Sequence, residues 1–343
     1  MGRLLLGGSL FGLVACAPSW QDEGETVRVV GSSTVYPFAV RAAERVDDPT
    51  VTIVVEQTGS GGGHKLFCAA NSRAHVVMSS RRRLPVEAQD CDRNGRRDTI
   101  EIALGFDGIV LAGRSKGKAE AFPSLSRKQL WQALAAELPM GPDCTFKANP
   151  HQLWSDIAPT LPSMDIIMHG PPPTSGTRDG FITLVMEKGA LMDPCMTALR
   201  DKDEMAFRQR AGRLREDGAW IDAGENDTAL IQLLQGKPDA LGVLGHATVA
   251  RTESDLHIVP IDGMAPTPRN LDARRYPLLR PLFLYLDKDA QPATTTLVST
   301  MISEEALSDA GYLTRSGLIV LSARERDAER QKLVRPKTES QAP

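Results

Sequence analysis

Short β-rich runs alternate with helical patterns along almost the whole chain, and this alternation restricts it to an α/β layered structure. Candidate strands are Thr26–Val30, Val51–Glu56, His75–Met78, Ile100–Leu104, Gly108–Ala112, Asp165–His169, Ala240–Leu244, His257–Ile261 and Leu279–Leu286. Helical patterns fall between them at Pro37–Val46, Arg127–Glu137, Arg178–Lys188, Asp203–Glu216 and Thr228–Gln235. Alternation of this kind implies a mainly parallel sheet with helices on its faces.

At roughly 150 residues per domain, a 343-residue chain is expected to form two domains. The strand that follows Phe106-Asp107-Gly108 and the strand beginning at Leu279 are natural crossings between them. They divide the chain into a discontinuous first lobe, 26–112 with 278–335, and a continuous second lobe, 113–277, leaving 336–343 as a frayed tail. Ligands in open α/β sheets bind beyond the carboxyl ends of strands, so a cleft between two such lobes is the expected site.

Residues 1–16 stand apart from the fold. Arg3 followed by the apolar stretch Leu4–Ala15 is the length of a signal-peptide core and too short for the ~20 residues of a membrane span. Leu13-Val14-Ala15-Cys16 has the form of a bacterial lipobox, with Cys16 as the lipidated residue. An ordinary signal peptide with an incidental cysteine is the alternative, and either implies export to the cell envelope. In that compartment disulfides persist, and Cys68, Cys91, Cys144 and Cys195 remain. Three pairings are open; Cys68 with Cys91 and Cys144 with Cys195 is preferred because each joins segments of one lobe.

With 40 Lys+Arg against 43 Asp+Glu, the net charge of -3 provides no broad basic field, so nucleic acid is not an expected partner. No CxxC or HxxxH spacing suggests a metal, and no cofactor is implied. Asp90–Glu101 does match the twelve-residue calcium-loop pattern, but Arg93, Arg96 and Arg97 within it oppose a cation, and a solvated turn is the preferred reading.

Three strand ends share one design, a Ser/Thr/Gly cluster that opens a helix. They are Gly31-Ser32-Ser33-Thr34-Val35-Tyr36-Pro37, Thr58-Gly59-Ser60-Gly61-Gly62-Gly63 and Thr174-Ser175-Gly176-Thr177-Arg178-Asp179. Unpaired N–H groups and the helix dipole make each junction able to meet an anion, although capping alone explains any single one. Gly59–Lys65 fails the phosphate-loop pattern because His64 and Leu66 stand where it needs Gly and Ser/Thr. Ser60 lacks the first Gly of the hydrolase elbow. Ser80 and Arg81 follow the strand His75–Met78, and Arg178 follows the third cluster; a guanidinium can bind two oxygens of a tetrahedral anion at once.

These motifs, in this order, with Phe106-Asp107-Gly108-Ile109-Val110, Ala240-Leu241-Gly242-Val243-Leu244-Gly245 and Arg280-Pro281-Leu282-Phe283, resemble the phosphate-binding proteins that feed ABC phosphate transporters. The resemblance spans nearly the whole chain after residue 16. It implies a type II periplasmic-binding-protein fold, two α/β lobes joined by two hinge strands, and a non-enzymatic monomer that captures inorganic phosphate and delivers it to a permease. It assigns the anion to Ser33, Thr34 and Val35, to Ser60, Gly61 and Gly62, to Ser80 and Arg81, and to Ser175, Gly176, Thr177 and Arg178. Some members of that family carry Asp where this chain has Arg81 and others carry Arg, and a carboxylate acceptor there tests for the proton on hydrogen phosphate. With Arg81 in that place, the acceptor falls to Asp179 or Asp107. Another oxyanion such as phosphite, phosphonate or sulfate, or hydrolysis of a phosphate ester, is the alternative.

Overall fold

The computed structural model describes residues 25–224, 226–251 and 255–334. The signal segment, Cys16 and the 336–343 tail lie outside the described residues. Eleven strands occur among them: β1 (Glu25–Gly31), β2 (Val51–Gln57), β3 (Val76–Ser79), β4 (Thr99–Arg114), β5 (Glu137–Met140), β6 (Thr145–Ala148), β7 (Met168–Gly170), β8 (Trp220–Asp222), β9 (Leu241–Gly245), β10 (Leu256–Val259) and β11 (Leu279–Asp287). The helices that matter for the site are α1 (Tyr36–Ala43), α2 (Gly59–Phe67), α3 (Pro85–Arg93), α4 (Arg127–Leu134), α5 (Trp154–Ile157) and α6 (Gly176–Phe181), the last running on through a π-turn at Ile182–Met186.

The sheet order is β2-β1-β3-β11-β4-β9-β7-β8, with β10 beside β4. It is mixed rather than mainly parallel: β1 pairs in parallel with β2 and β3, and β7 with β8 and β9, but every pairing of β4 and β11 is antiparallel. The reason is β4. The two expected strands Ile100–Leu104 and Gly108–Ala112 form one 16-residue strand whose first part pairs with β11 and whose last part pairs with β9 and β10. Near Gly105 the register with β11 slips, and Gly105 has φ +157°, so the strand bends without breaking.

Apolar burial separates on either side of this strand. Val27, Val29, Val76, Ile102, Leu284 and Leu297 belong to one core. Ile109, Leu111, Phe122, Trp131, Trp154 and Phe181 belong to another. Trp131 on α4 and Trp154 on α5 are almost fully enclosed, and each large side chain so buried contributes about 2 to 3 kcal/mol. α4 stops at Leu134, short of the expected Glu137, because the β5–β6 hairpin begins there around the Gly141 turn, where φ is +71°. Among the described residues no helix is long and apolar enough to cross a membrane.

Both disulfides of the preferred pairing form, Cys68–Cys91 and Cys144–Cys195. The first joins the end of α2 to α3. It also explains the calcium-like pattern, whose first residues, Asp90 to Arg93, lie in α3 while Glu101 lies in β4. Asn94 Nδ2 donates to the Cys68 carbonyl, and Arg96 donates to the carbonyls of Phe67 and Ala74 while stacking on the Phe67 ring. The segment is a helix end and turn that clamps α2, with no cation-binding loop. Selective loss of this bridge, 23 residues in span, is expected to lower stability by about 3 kcal/mol. Denaturant unfolding of the Cys68→Ala/Cys91→Ala variant checks this; an unchanged midpoint contradicts it.

Candidate functional site

The β1–α1 loop folds tightly on itself. Ser32 N donates to the Met78 carbonyl, Thr34 N donates to Ser32 Oγ at 3.2 Å, and the amides of Val35 and Tyr36 both donate to the Ser32 carbonyl. The Val35 amide is therefore spent within the turn, and its side chain lies in the core. What the loop leaves over is Thr34 Oγ1, buried and without a hydrogen-bond partner among the described residues. A buried hydroxyl left unpaired costs about 1 to 3 kcal/mol, which a ligand in contact with it would relieve.

α2 begins at Gly59 with Thr58 as its N-cap, and the Thr58 hydroxyl is a second buried orphan. The glycine run has a packing cause at Gly63, where a Cβ would stand 2.7 Å from the Gly31 Cα, so only glycine lets α2 lie directly on β1. Ser60 Oγ accepts the Ser80 amide at 3.0 Å and faces Ser80 Oγ at 3.2 Å, joining the second cluster to the end of β3. The third cluster opens α6: Ser175 Oγ caps it by accepting the Thr177 amide at 3.2 Å. Here the chain approaches the first loop closely. A Cβ on Gly176 would overlap Thr34 Oγ1, lie 2.5 Å from Thr34 N and 2.8 Å from Ser33 Oγ.

Two cavities hold most of the expected residues, and they do not coincide. One, of about 410 Å³, is lined by Ser33, Thr34, Asp107, Ser175, Gly176 and Thr177. The other, of about 530 Å³, is lined by Ser60, Gly61, Ser80, Arg81, Asp179 and Arg280. Val35, Gly62 and Arg178 line neither.

Arg81, Arg178 and Arg280 each hold a carboxylate. Arg81 makes a two-pronged pair with Glu87 on α3, at 2.9 and 2.6 Å. Burial works against ionisation of Glu87, yet hydrogen bonds from Arg81 and the Leu84 amide prevail and hold its carboxyl below the ordinary value. Beside it His64, fully buried and with neither ring nitrogen hydrogen-bonded among the described residues, is pushed down by burial to about 4. Arg178 is turned away: Nη1 bonds the Pro171 carbonyl and Asp222, and the guanidinium lies over the Trp220 ring.

Of the two carboxylates considered as proton acceptors, Asp107 has Oδ2 engaged by Arg280. Asp179 faces the larger cavity; burial raises its pKa, with Arg280 and Arg178 opposing. Arg280 and Glu87 are the residues that sequence reasoning passed over. The signal for Arg280 was a charge inside an apolar strand, and for Glu87 its place three residues into a helix after Leu84, whose amide it caps.

The family model described as PBP superfamily domain matches residues 17–305. The chain belongs to this family of periplasmic-binding-protein-like domains. Protein SphX of Synechocystis sp. is 27% identical over 289 residues, covering 81% of this chain and 73% of its own. The crystal structure of a possible phosphate binding protein from Planctomyces limnophilus superposes with a TM-score of 0.67 at 24% identity, covering 90% of this chain and 98% of that one. An ABC-type phosphate transport receptor from Vibrio cholerae superposes with a TM-score of 0.61 at 17% identity, covering 86% and 100%. The fold is therefore the two-lobed type II periplasmic-binding-protein fold.

Proposed function

We propose that this family member is a cell-envelope receptor that captures inorganic phosphate between its lobes and passes it to an ABC-transporter permease, without catalysis. The observation that carries the reading is the buried Thr34 Oγ1, without a partner among the described residues and set against the start of α6, a donor prepared for a ligand acceptor. The Ser60–Ser80 pair supplies further hydroxyls, and the names of the relatives, a transport receptor among them, agree with it. Because Arg81 already holds Glu87 and Arg178 is turned away to Asp222, in this reading the anion is met chiefly by hydroxyls and amides.

In this reading Ser33, Thr34, Ser175, Gly176 and Thr177 contact the anion from one side and Ser60, Gly61 and Ser80 from the other. Asp179 is the acceptor that reads the proton of hydrogen phosphate. The lobes divide as 26–112 with 278–335, and 113–277, and Cys16 anchors the exported chain to lipid.

Isothermal titration of the anion-stripped protein with phosphate, then sulfate, tests the reading. Binding of phosphate alone at micromolar or tighter, at least ~8 kcal/mol, is expected, with Thr34→Val weakening it by about tenfold to a hundredfold. Equal binding of sulfate removes the proton-reading role of Asp179, and binding of neither anion removes the phosphate assignment.

A further inference from the structure

Neither Arg81 nor Arg178, the arginines adjacent to the anion-binding clusters in sequence, stands between the two halves of the site; Arg280 does. It lies on β11 directly opposite Asp107 on β4, and the residue is almost wholly enclosed, 3% exposed. Nε and Nη2 both donate to Asp107 Oδ2, at 3.1 and 2.8 Å, and Nη1 donates to the Gly176 carbonyl at 2.6 Å. Asp107 lines the cavity of Thr34 and Ser175, whereas Arg280 lines the cavity of Ser60, Ser80 and Asp179. The pair thus has one member at each cavity and is bonded to the first residue of α6.

α6 is shaped for this contact. Gly180 follows Gly176 by four residues, so both lie on one face of the helix. A Cβ on Gly180 would fall 2.5 Å from Arg280 Nη1 and 2.7 Å from Cζ. One glycine admits the Ser33–Thr34 loop and the other admits the guanidinium, which leaves the helix start gripped from two directions. A buried ion pair is poor evidence of a purely stabilising role, since two well-packed apolar residues commonly serve stability as well. The third bond of Arg280, onto a carbonyl of a different element, is what such a substitution cannot reproduce.

We propose that Arg280 is a positioning residue for the anion site. Held by Asp107, it fixes the Gly176 carbonyl, and through it the orientation of the Gly176–Thr177 peptides against Thr34, so that the donors of two distant segments converge before the anion arrives. The inference rests on the phosphate reading for its ligand, although the structural part does not depend on it.

The test is the double variant Arg280→Met/Asp107→Leu, which removes both charges together and leaves no buried ion unpaired. Three quantities are measured on the variant and on the unaltered protein: thermal midpoint, amide hydrogen exchange over residues 175–181 without ligand, and phosphate affinity. The expected result is a midpoint within a few degrees, at least tenfold faster exchange confined to 175–181, and phosphate binding weakened tenfold or more. Arg280→Lys, which keeps the charge but cannot reach Asp107 and Gly176 with a planar fork, is expected to fall between the two. Unchanged exchange at 175–181 overturns the proposal, as does phosphate affinity within twofold of the unaltered protein. If the unaltered protein binds no phosphate while exchange at 175–181 still accelerates in the variant, the positioning role stands and only the phosphate reading falls.

Discussion

Gly176→Ala is expected to abolish anion capture while leaving the protein folded. The atoms nearest the added methyl group belong to the Ser33–Thr34 loop: it would overlap Thr34 Oγ1 and press to 2.5 Å on the Thr34 backbone nitrogen. Backbone cannot swing aside as a side-chain tip can, and Thr34 N is tied to Ser32 Oγ within its own turn. The strain is relieved by parting α6 from the loop, which separates the two sets of donors that share the smaller cavity. Burial of an anion without its full set of donors is unfavourable, so affinity should fall about a thousandfold, on the order of 4 kcal/mol. Gly236→Ala, at a glycine whose Cβ would meet nothing within 4 Å, is the matched control and should bind as before. Titration calorimetry with phosphate reads the difference, and circular dichroism confirms the fold. Undiminished affinity in Gly176→Ala would place the anion elsewhere in the protein.

The parts of this architecture legible in the sequence were those written locally. Strands such as Val51–Gln57 and Leu279–Asp287 announce themselves by β-branched and apolar runs, and the Ser/Thr/Gly junctions mark where helices open. Sheet direction is not local. β4 and β11 turn every pairing they make antiparallel, and nothing in their composition says so, because direction depends on which strands become neighbours. The site shows the same division. Thr34, Ser60 and Ser175, short side chains whose reach is set by their own backbone, line one or the other of the two cavities. Arg178 and Arg81 also sit where expected along the chain, but a long side chain has several reachable partners. Trp220 and Asp222 draw one away and Glu87 takes up the other. Arg280 was hidden for the opposite reason: an arginine in a strand gives no sign of which segment its tip will reach across 104 residues of sequence.

The buried pair offers the largest stability effect. Asp107→Ala leaves the Arg280 guanidinium with only the Gly176 carbonyl, in a place where it is almost wholly cut off from water. Removing one member of a buried ion pair commonly costs about 3 to 5 kcal/mol, because the survivor keeps the whole desolvation penalty. In a chain of this size each 1 kcal/mol lowers the thermal midpoint by about 2 °C, so a fall near 6 to 10 °C is expected by calorimetry. The same substitution combined with Arg280→Met should recover most of that loss, since no unpaired charge remains. Stability and binding then part company. The single variant is weak in both, while the double variant is stable and still binds poorly, because an apolar side chain cannot hold the Gly176 carbonyl. A pair kept only for stability would show recovery of both together, and that outcome would remove any reason for a buried arginine at position 280.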